Sequence, residues 1–343
     1  MNELIAALMG AGLVFGIAVP LVTLISKAAL VARWRRDPDP KRQGSLSTYM
    51  LIIAPSIGAV AWFISAALHL SEPGAAGGIC ALDHGGAAMC LDALLFAGLL
   101  AGLAATAMTR GWLRAGAHWQ HRAERLPADD DTTRRLQQVC AAHPRLRALR
   151  SRIAAVDGDT HPICTRGLFR PVIEVSKTLM TRLDDSALTA ALLHEAEHHD
   201  ARDPLRFLVA TVSLALNPCG FLLRSELARW RAGREVVCDE WAVRRAADPL
   251  SLADALVAAA RIDRPLPAFS VALGGNDKGL LRLRIHLLLD YATRPPGRPS
   301  RTPILVGIGA MLAVLTLPHA VGAWPLDIAH AALERTLVAL GLI

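Results

Sequence analysis

The sequence predicts a mainly α-helical membrane protein, in which four transmembrane helices carry an α+β domain inserted between the third and the fourth span. Hydrophobic residues make up 53% of the 343 residues and charged residues only 20%, and the mean hydropathy is +0.35. The apolar residues are gathered in blocks, and a block of about 20 such residues is long enough to cross the hydrocarbon core of a bilayer. The charged segment between the third and fourth blocks is predicted to fold outside the bilayer.

The apolar blocks also predict the domain limits. We expect spans at about residues 4–26, 46–69, 91–110 and 301–325, which leaves three regions outside the fourth span: a three-helix region (1–112), a folded domain (113–300) and a short amphipathic tail (326–343). A further uncharged run, 207–223, contains Asn217 and Pro218, which interrupt a helix. We therefore predict a buried helix up to about Leu216 there, with a re-entrant hairpin as the alternative.

Basic residues predict the orientation of these spans. The first connecting loop is rich in lysine and arginine, whereas the second, 71–92, contains neither. The positive-inside rule then places the first loop and the folded domain in the cytoplasm, and both termini outside. Cys80 and Cys90 lie in the outer loop, where a disulfide between them and two free thiols are equally open possibilities. The net charge of +7 follows from the same loops, so we expect contact with the lipid bilayer and no direct nucleic-acid binding.

The most informative chemical signal is the segment His194-Glu195-Ala196-Glu197-His198. Residues four positions apart share one face of a helix, so His194 and His198 are predicted to bind one Zn²⁺, with Glu195 directed at a water on that metal. A helix is expected because Asp185-Ser186 offers an N-terminal cap and leucines precede the histidines at helical spacing. The pattern indicates metal-dependent hydrolysis.

A third zinc ligand is expected on a second helix further along the chain. Glu235 is the candidate, because 221–246 has few helix breakers and Glu235 and Asp239 again stand four residues apart. Glu235 would complete a site of two histidines and one glutamate, and Asp239 would orient a histidine ring from behind. Glu226 and Glu240 are weaker alternatives. Cys238 is interpreted as a buried packing residue and not as a nucleophile.

These motifs resemble those of the BlaR/MecR-type integral-membrane zinc metallopeptidases. The resemblance rests on the HExxH segment, on Asp203-Pro204 and Asn217-Pro218, on 234–240, and on Gly167-Leu168-Phe169-Arg170-Pro171, which precedes the zinc helix. It implies a gluzincin-like peptidase domain in a bacterial inner or plasma membrane. It also implies that His194, His198 and Glu235 bind one zinc ion, that Glu195 is the catalytic base and that Asp239 supports a ligand.

The function implied by this resemblance is zinc-dependent cleavage of a cytoplasmic regulatory protein, namely a transcriptional repressor of the BlaI/MecI kind. The antibiotic sensors of that family carry a penicillin-binding domain after the last span, whereas this sequence has about twenty residues there, so we expect no β-lactam sensing. Two alternatives are a quality-control peptidase of the HtpX/Ste24 type and a receptor or scaffold in which zinc only supports the fold.

Short apolar runs between 152 and 176 predict strands of a small sheet. In a peptidase, an exposed edge strand can pair with an extended substrate and position the bond to be cleaved. Val172 to Ser176 is the predicted edge, and an ordinary structural strand is the equal alternative.

Overall fold

The computed structural model describes residues 19–56, 124–125, 130–157, 161–245, 247–262, 271–272 and 278–293. Most of these residues are helical. The helices are α1 (Val19–Arg36), α2 (Pro40–Gln43), α3 (46–56), α4 (Asp131–Ala142), α5 (Pro144–Leu149), α6 (Lys177–Met180), α7 (Asp185–Asp200), α8 (Asp203–Leu216), α9 (Arg224–Arg244), α10 (Pro249–Ala260) and α11 (Lys278–Thr293), with short 3₁₀ turns at Arg150–Arg152 and Gly220–Leu223.

A five-stranded sheet lies beside the helices. Its strands are β1 (Glu124–Arg125), β2 (Ile153–Asp157), β3 (Ile163–Arg166), β4 (Val172–Ser176) and β5 (Val271–Ala272). The order across the sheet is β1-β2-β4-β3-β5, in which β2 and β4 are parallel and every other pair is antiparallel. The strands predicted from the apolar runs at Ile153 and Val172 are therefore confirmed.

Helix α7 forms the centre of the main core. Its N-terminus is capped by Asp184, whose Oδ1 accepts a hydrogen bond from the Ala187 amide at 2.7 Å, so the cap lies one residue before the predicted one. Leu188, Leu192 and Leu193 are fully buried, and α7 packs against β3 and β4 on one side and against α9 and α10 on the other. Since it is covered all round, α7 places His194 and His198 in the interior.

A second cluster of buried residues joins the N-terminal helices to the helices that follow α7. Leu30 and Trp34 of α1 and Ile52 of α3 pack with Phe207 of α8 and Trp230 of α9. Asn217 ends α8 and donates a hydrogen bond to the Thr23 hydroxyl of α1 at 2.9 Å. Helix α8 therefore ends at Leu216, which confirms the helix predicted for the uncharged run.

The predicted architecture of four transmembrane helices is wrong. In the residues that the structure describes, no helix is both long and apolar enough to cross a membrane. Helix α1 continues the first predicted span but runs on through Lys27 and three arginines near its C-terminus, and it buries the polar Thr23 and Ser26 together with Leu30. Its buried face packs on protein.

The rest of the first two predicted spans lies outside the described residues, as do the spans at about 91–110 and 301–325, the tail and the Cys80/Cys90 pair. The membrane location and the cytoplasmic placement of the folded domain, which were inferred from the basic residues between those spans, stay predictions. The four cysteines of the described ranges are free thiols, as expected for Cys140, Cys164, Cys219 and Cys238.

The predicted edge strand is also wrong. Strand β4, Val172–Ser176, lies between β2 and β3 and is hydrogen-bonded on both sides. A short apolar run identified the strand but could not show how many neighbours it has. No free edge of β4 is left for an extended substrate.

Candidate metal centre

Helices α7 and α9 bring His194, His198 and Glu235 together. The two Nε2 atoms of the histidines are 3.2 Å apart, and they lie 3.5 Å (His194) and 3.6 Å (His198) from the carboxylate oxygens of Glu235. Both histidines are fully buried, and Glu235 is 13% exposed. The three side chains that the sequence indicated as ligands therefore form one compact cluster.

The spacing of these atoms fits a tetrahedral zinc ion. Ligands at about 2.0–2.1 Å from zinc are separated by about 3.3–3.4 Å along the edges of a tetrahedron. The observed separations are close to that edge: 3.2 Å between the two Nε2 atoms, 3.5 Å from His194 Nε2 to Glu235 Oε2 and 3.6 Å from His198 Nε2 to Glu235 Oε1. Three protein ligands also leave a fourth position for water, whereas structural zinc sites use four protein ligands.

Asp239 and Arg284 hold His194 from behind. His194 Nδ1 is 2.9 Å from Asp239 Oδ1, so the ring donates its Nδ1 proton there and directs Nε2 toward Glu235. Arg284, on α11, donates to both Asp239 oxygens at 2.7 Å and to Glu235 Oε2 at 2.9 Å. This supporting role was predicted for Asp239 but not for Arg284.

Asp203 and Arg234 support His198 in the same way. His198 Nδ1 is 2.8 Å from Asp203 Oδ2, and Arg234 Nε donates to that oxygen at 2.9 Å. Asp203 reaches the ring because Arg202 adopts a left-handed conformation, φ 52°, and turns the chain sharply between α7 and α8. Each histidine ring thus hydrogen-bonds to a buried carboxylate, and each of these carboxylates pairs with a buried arginine.

His198 also belongs to a second group of metal-binding residue types, but this group is less suited to a metal. His198, Asp203 and Cys238 are close enough together to bind an ion. Arg234 donates a hydrogen bond to Asp203 and lies 3.6 Å from Cys238 Sγ, so its positive charge opposes a cation there. Burial raises the pKa of the Cys238 thiol well above its usual value, which opposes formation of the thiolate that a metal requires. The group with Glu235 is therefore the better metal site.

Charges in the cluster favour an ionised Glu235. Burial alone would raise the pKa of Glu235, but the neighbouring Arg284 and the histidines outweigh burial and lower it. Burial likewise opposes a charge on His194, yet its hydrogen bonds to Asp239 and Glu235 raise the pKa of His194 to about 9. A metal entering this site would displace a proton from His194.

Glu195 lies beside the ligands and is fully buried. Its Oε2 accepts a hydrogen bond from the Thr165 hydroxyl of β3 at 2.7 Å, and its Oε1 has no hydrogen-bond partner among the described residues. Burial raises the pKa of the Glu195 carboxyl above its usual value, although both histidines oppose the shift. A buried carboxylate with one unpaired oxygen, beside the three candidate metal ligands, is suited to accept a proton.

The other acidic candidates lie away from the cluster. Glu226 accepts hydrogen bonds from Lys27 and Trp34, and Glu240 pairs with Lys41 and with Arg244. His199 contacts the carboxylate of Asp200 and not the cluster. The weaker alternatives for the third ligand are therefore not supported by the structure.

Two of the supporting residues escaped the sequence analysis for different reasons. Asp203 follows His198 by five residues, and side chains at that spacing lie on different faces of a continuous helix. Arg284 lies 49 residues after Glu235, and nothing in its own segment indicates a role. The Asp203-Pro204 pair was visible as a motif, and it was the available signal for Asp203.

No protein-family model matches this chain, and no curated protein matches it. The interpretation of the site therefore depends on its motifs and on the geometry of its residues.

Proposed function

We propose that this protein is a zinc-dependent peptidase, whose metal is bound by His194, His198 and Glu235 and whose catalytic base is Glu195. The observation that carries the proposal is the convergence of two buried Nε2 atoms and the Glu235 carboxylate, at separations of 3.2–3.6 Å, beside a buried carboxylate with an unpaired oxygen. A metal that only supported the fold would need neither an open fourth position nor a base next to it.

Zinc bound at this site would lower the pKa of a coordinated water and polarise the carbonyl of the bond to be cleaved. Glu195 Oε1 then accepts a proton from the attacking water and passes it to the leaving amine. Asp239 and Asp203 keep the histidine rings in the orientation that directs Nε2 at the metal position. Burial of the cluster excludes bulk water and strengthens these electrostatic interactions.

The proposal extends to the substrate class. A protein substrate is supported by the HExxH pattern, and the resemblance to the BlaR/MecR-type peptidases makes a transcriptional repressor of the BlaI/MecI kind the first substrate to test. The HtpX/Ste24 type of quality-control peptidase shares the same chemistry, so the metal centre does not discriminate between these two.

The test compares the purified parent protein with Glu195→Gln and Glu235→Ala, using a fluorogenic protein substrate and zinc analysis by mass spectrometry. We expect one zinc per parent chain, hydrolysis that a chelator abolishes and zinc restores, full zinc content without hydrolysis in Glu195→Gln, and loss of zinc in Glu235→Ala. Glu240→Gln is the matched control on α9, and it should keep both zinc and activity.

Two results would overturn the proposal. One is hydrolysis by Glu195→Gln at the rate of the parent, because no other group is assigned as the base. The other is zinc binding by Glu235→Ala with the affinity of the parent, which would remove the third ligand.

A further inference from the structure

We propose that Thr165 is a positioning residue, which holds Glu195 Oε2 and so makes Oε1 the oxygen that accepts the proton. The inference rests on the proposed peptidase function and adds to it a residue outside the HExxH helix. Thr165 is fully buried, and its Oγ1 lies 2.7 Å from Glu195 Oε2 and 3.1 Å from the main-chain oxygen of the same residue.

The backbone of Thr165 is held from both sides. Strand β3 pairs with β4, where Thr165 lies opposite Ile173, and with β5, where it lies opposite Val271. A β-branched side chain has few allowed rotamers, so the position of the hydroxyl follows closely from the position of the strand. The sheet therefore fixes the position of the Thr165 hydroxyl next to Glu195, the residue that follows His194 in α7.

Proton counting assigns the direction of the hydrogen bond. An ionised carboxylate only accepts hydrogen bonds, so the single hydroxyl proton of Thr165 is donated to Glu195. That donation occupies Oε2 and leaves Oε1 buried and without a partner in the described ranges. A buried unpaired acceptor is unfavourable, and a water at the metal position would relieve this.

A purely structural role for Thr165 would have different experimental consequences from a role in orienting Glu195. Its hydroxyl is also within reach of the Glu195 main-chain oxygen, and that contact by itself would only tie β3 to α7. Loss of the structural contact would lower the melting temperature and the zinc content. Loss of orientation would lower kcat and leave KM, zinc content and melting temperature nearly unchanged, because the Thr165 hydroxyl contacts Glu195 and none of the three proposed zinc ligands.

The experiment compares three zinc-loaded full-length variants with the parent. Thr165→Val removes the hydroxyl and keeps the shape of the side chain, Thr165→Ser keeps the hydroxyl, and Glu195→Gln gives the background rate. We expect Thr165→Val to lower kcat by about tenfold or more, with KM within about threefold, and Thr165→Ser to restore most of the rate. Thr165→Ala replaces the valine variant if valine does not fold.

The inference fails if Thr165→Val has the kcat of the parent, or if Thr165→Ser is as slow as Thr165→Val. It also fails if the lower rate follows only from lost zinc. These results are distinct from failure of the proposed function, in which the parent itself would hydrolyse no faster than Glu195→Gln. In that case there is no base for Thr165 to position, and the inference falls as well.

Discussion

Asp203 Oδ2 lies 2.8 Å from Nδ1 of His198 and accepts its hydrogen bond, although the two residues belong to different helices. The contact depends on the left-handed turn at Arg202, and it fixes which nitrogen of His198 is available to a metal. The same arrangement recurs at His194, where Asp239 takes the place of Asp203. The orientation of both ligands is therefore set by carboxylates behind them.

Replacing Asp203 should weaken zinc binding without removing a ligand. We expect Asp203→Asn to raise the dissociation constant for zinc by about 10-fold to 100-fold, because the amide no longer holds the Nδ1 proton as firmly as a carboxylate does. Competition with a chromogenic chelator measures the change. Asp200→Asn, at the end of α7, is the control and should bind zinc as the parent does. Equal affinities for Asp203→Asn and the parent would contradict the role of Asp203.

Removing the charge of Arg284 should destabilise the metal-free protein. Arg284→Met leaves Asp239 and Glu235 buried near each other without their shared cation, which is expected to lower the free energy of unfolding by about 3 kcal/mol or more. Thermal unfolding of the metal-free variants measures this loss. Arg284→Lys should lie between the parent and Arg284→Met, because an ammonium group keeps the charge but not the forked geometry.

Arg282→Met is the matched control, since Arg282 lies on the same helix and is exposed. Its melting temperature should remain within about 1 °C of the parent value, because surface substitutions change stability by less than about 0.5 kcal/mol. A loss in the control as large as that of Arg284→Met would show that the effect belongs to α11 as a whole.

A methyl group at Gly233 should destabilise the protein. In most helices, replacing glycine by alanine is favourable by up to about 1 kcal/mol. Here a Cβ at Gly233 would lie 2.3 Å from the Gly44 backbone nitrogen, so α9 would have to move away from the segment after α2. We expect Gly233→Ala to lower the free energy of unfolding by about 1–3 kcal/mol in thermal or urea unfolding. Stabilisation by this substitution would contradict the close packing of α2 on α9.

Cys238 should be dispensable for catalysis. Its Sγ lies 3.4 Å from His198 Nδ1, on the side of the ring that faces away from the cluster with Glu235. We therefore expect Cys238→Ala to keep full zinc content and a kcat within about threefold of the parent value, since a small truncation in the core usually affects stability more than chemistry. Loss of hydrolysis with zinc still bound would instead indicate a chemical role for the thiol.

The ligands were predictable from the sequence because their spacing is local. His194 and His198 share a helical face, as do Glu235 and Asp239, and one buried helix beside another is enough to bring the two pairs together. The helix of the HExxH segment and two strands of the sheet were also predicted correctly, since each follows from a short periodic pattern.

The remaining features depend on tertiary structure. Arg284 reaches the site only because α11 packs against α9, and β4 is internal only because β2 and β3 both pair with it. The first span was mispredicted for a related reason. An uncharged stretch that packs against protein can have the same composition as one that faces lipid, and the buried Thr23, Ser26 and Leu30 show that one face of α1 packs against protein.

The most direct test of the metal centre is X-ray absorption spectroscopy at the zinc edge of the reconstituted parent protein. The structure predicts nitrogen and oxygen donors at about 2.0–2.1 Å, with the outer-sphere signature of two imidazoles and no sulfur. A sulfur donor at about 2.3 Å would contradict this account, because it would place the metal with His198, Asp203 and Cys238 instead of with His194, His198 and Glu235.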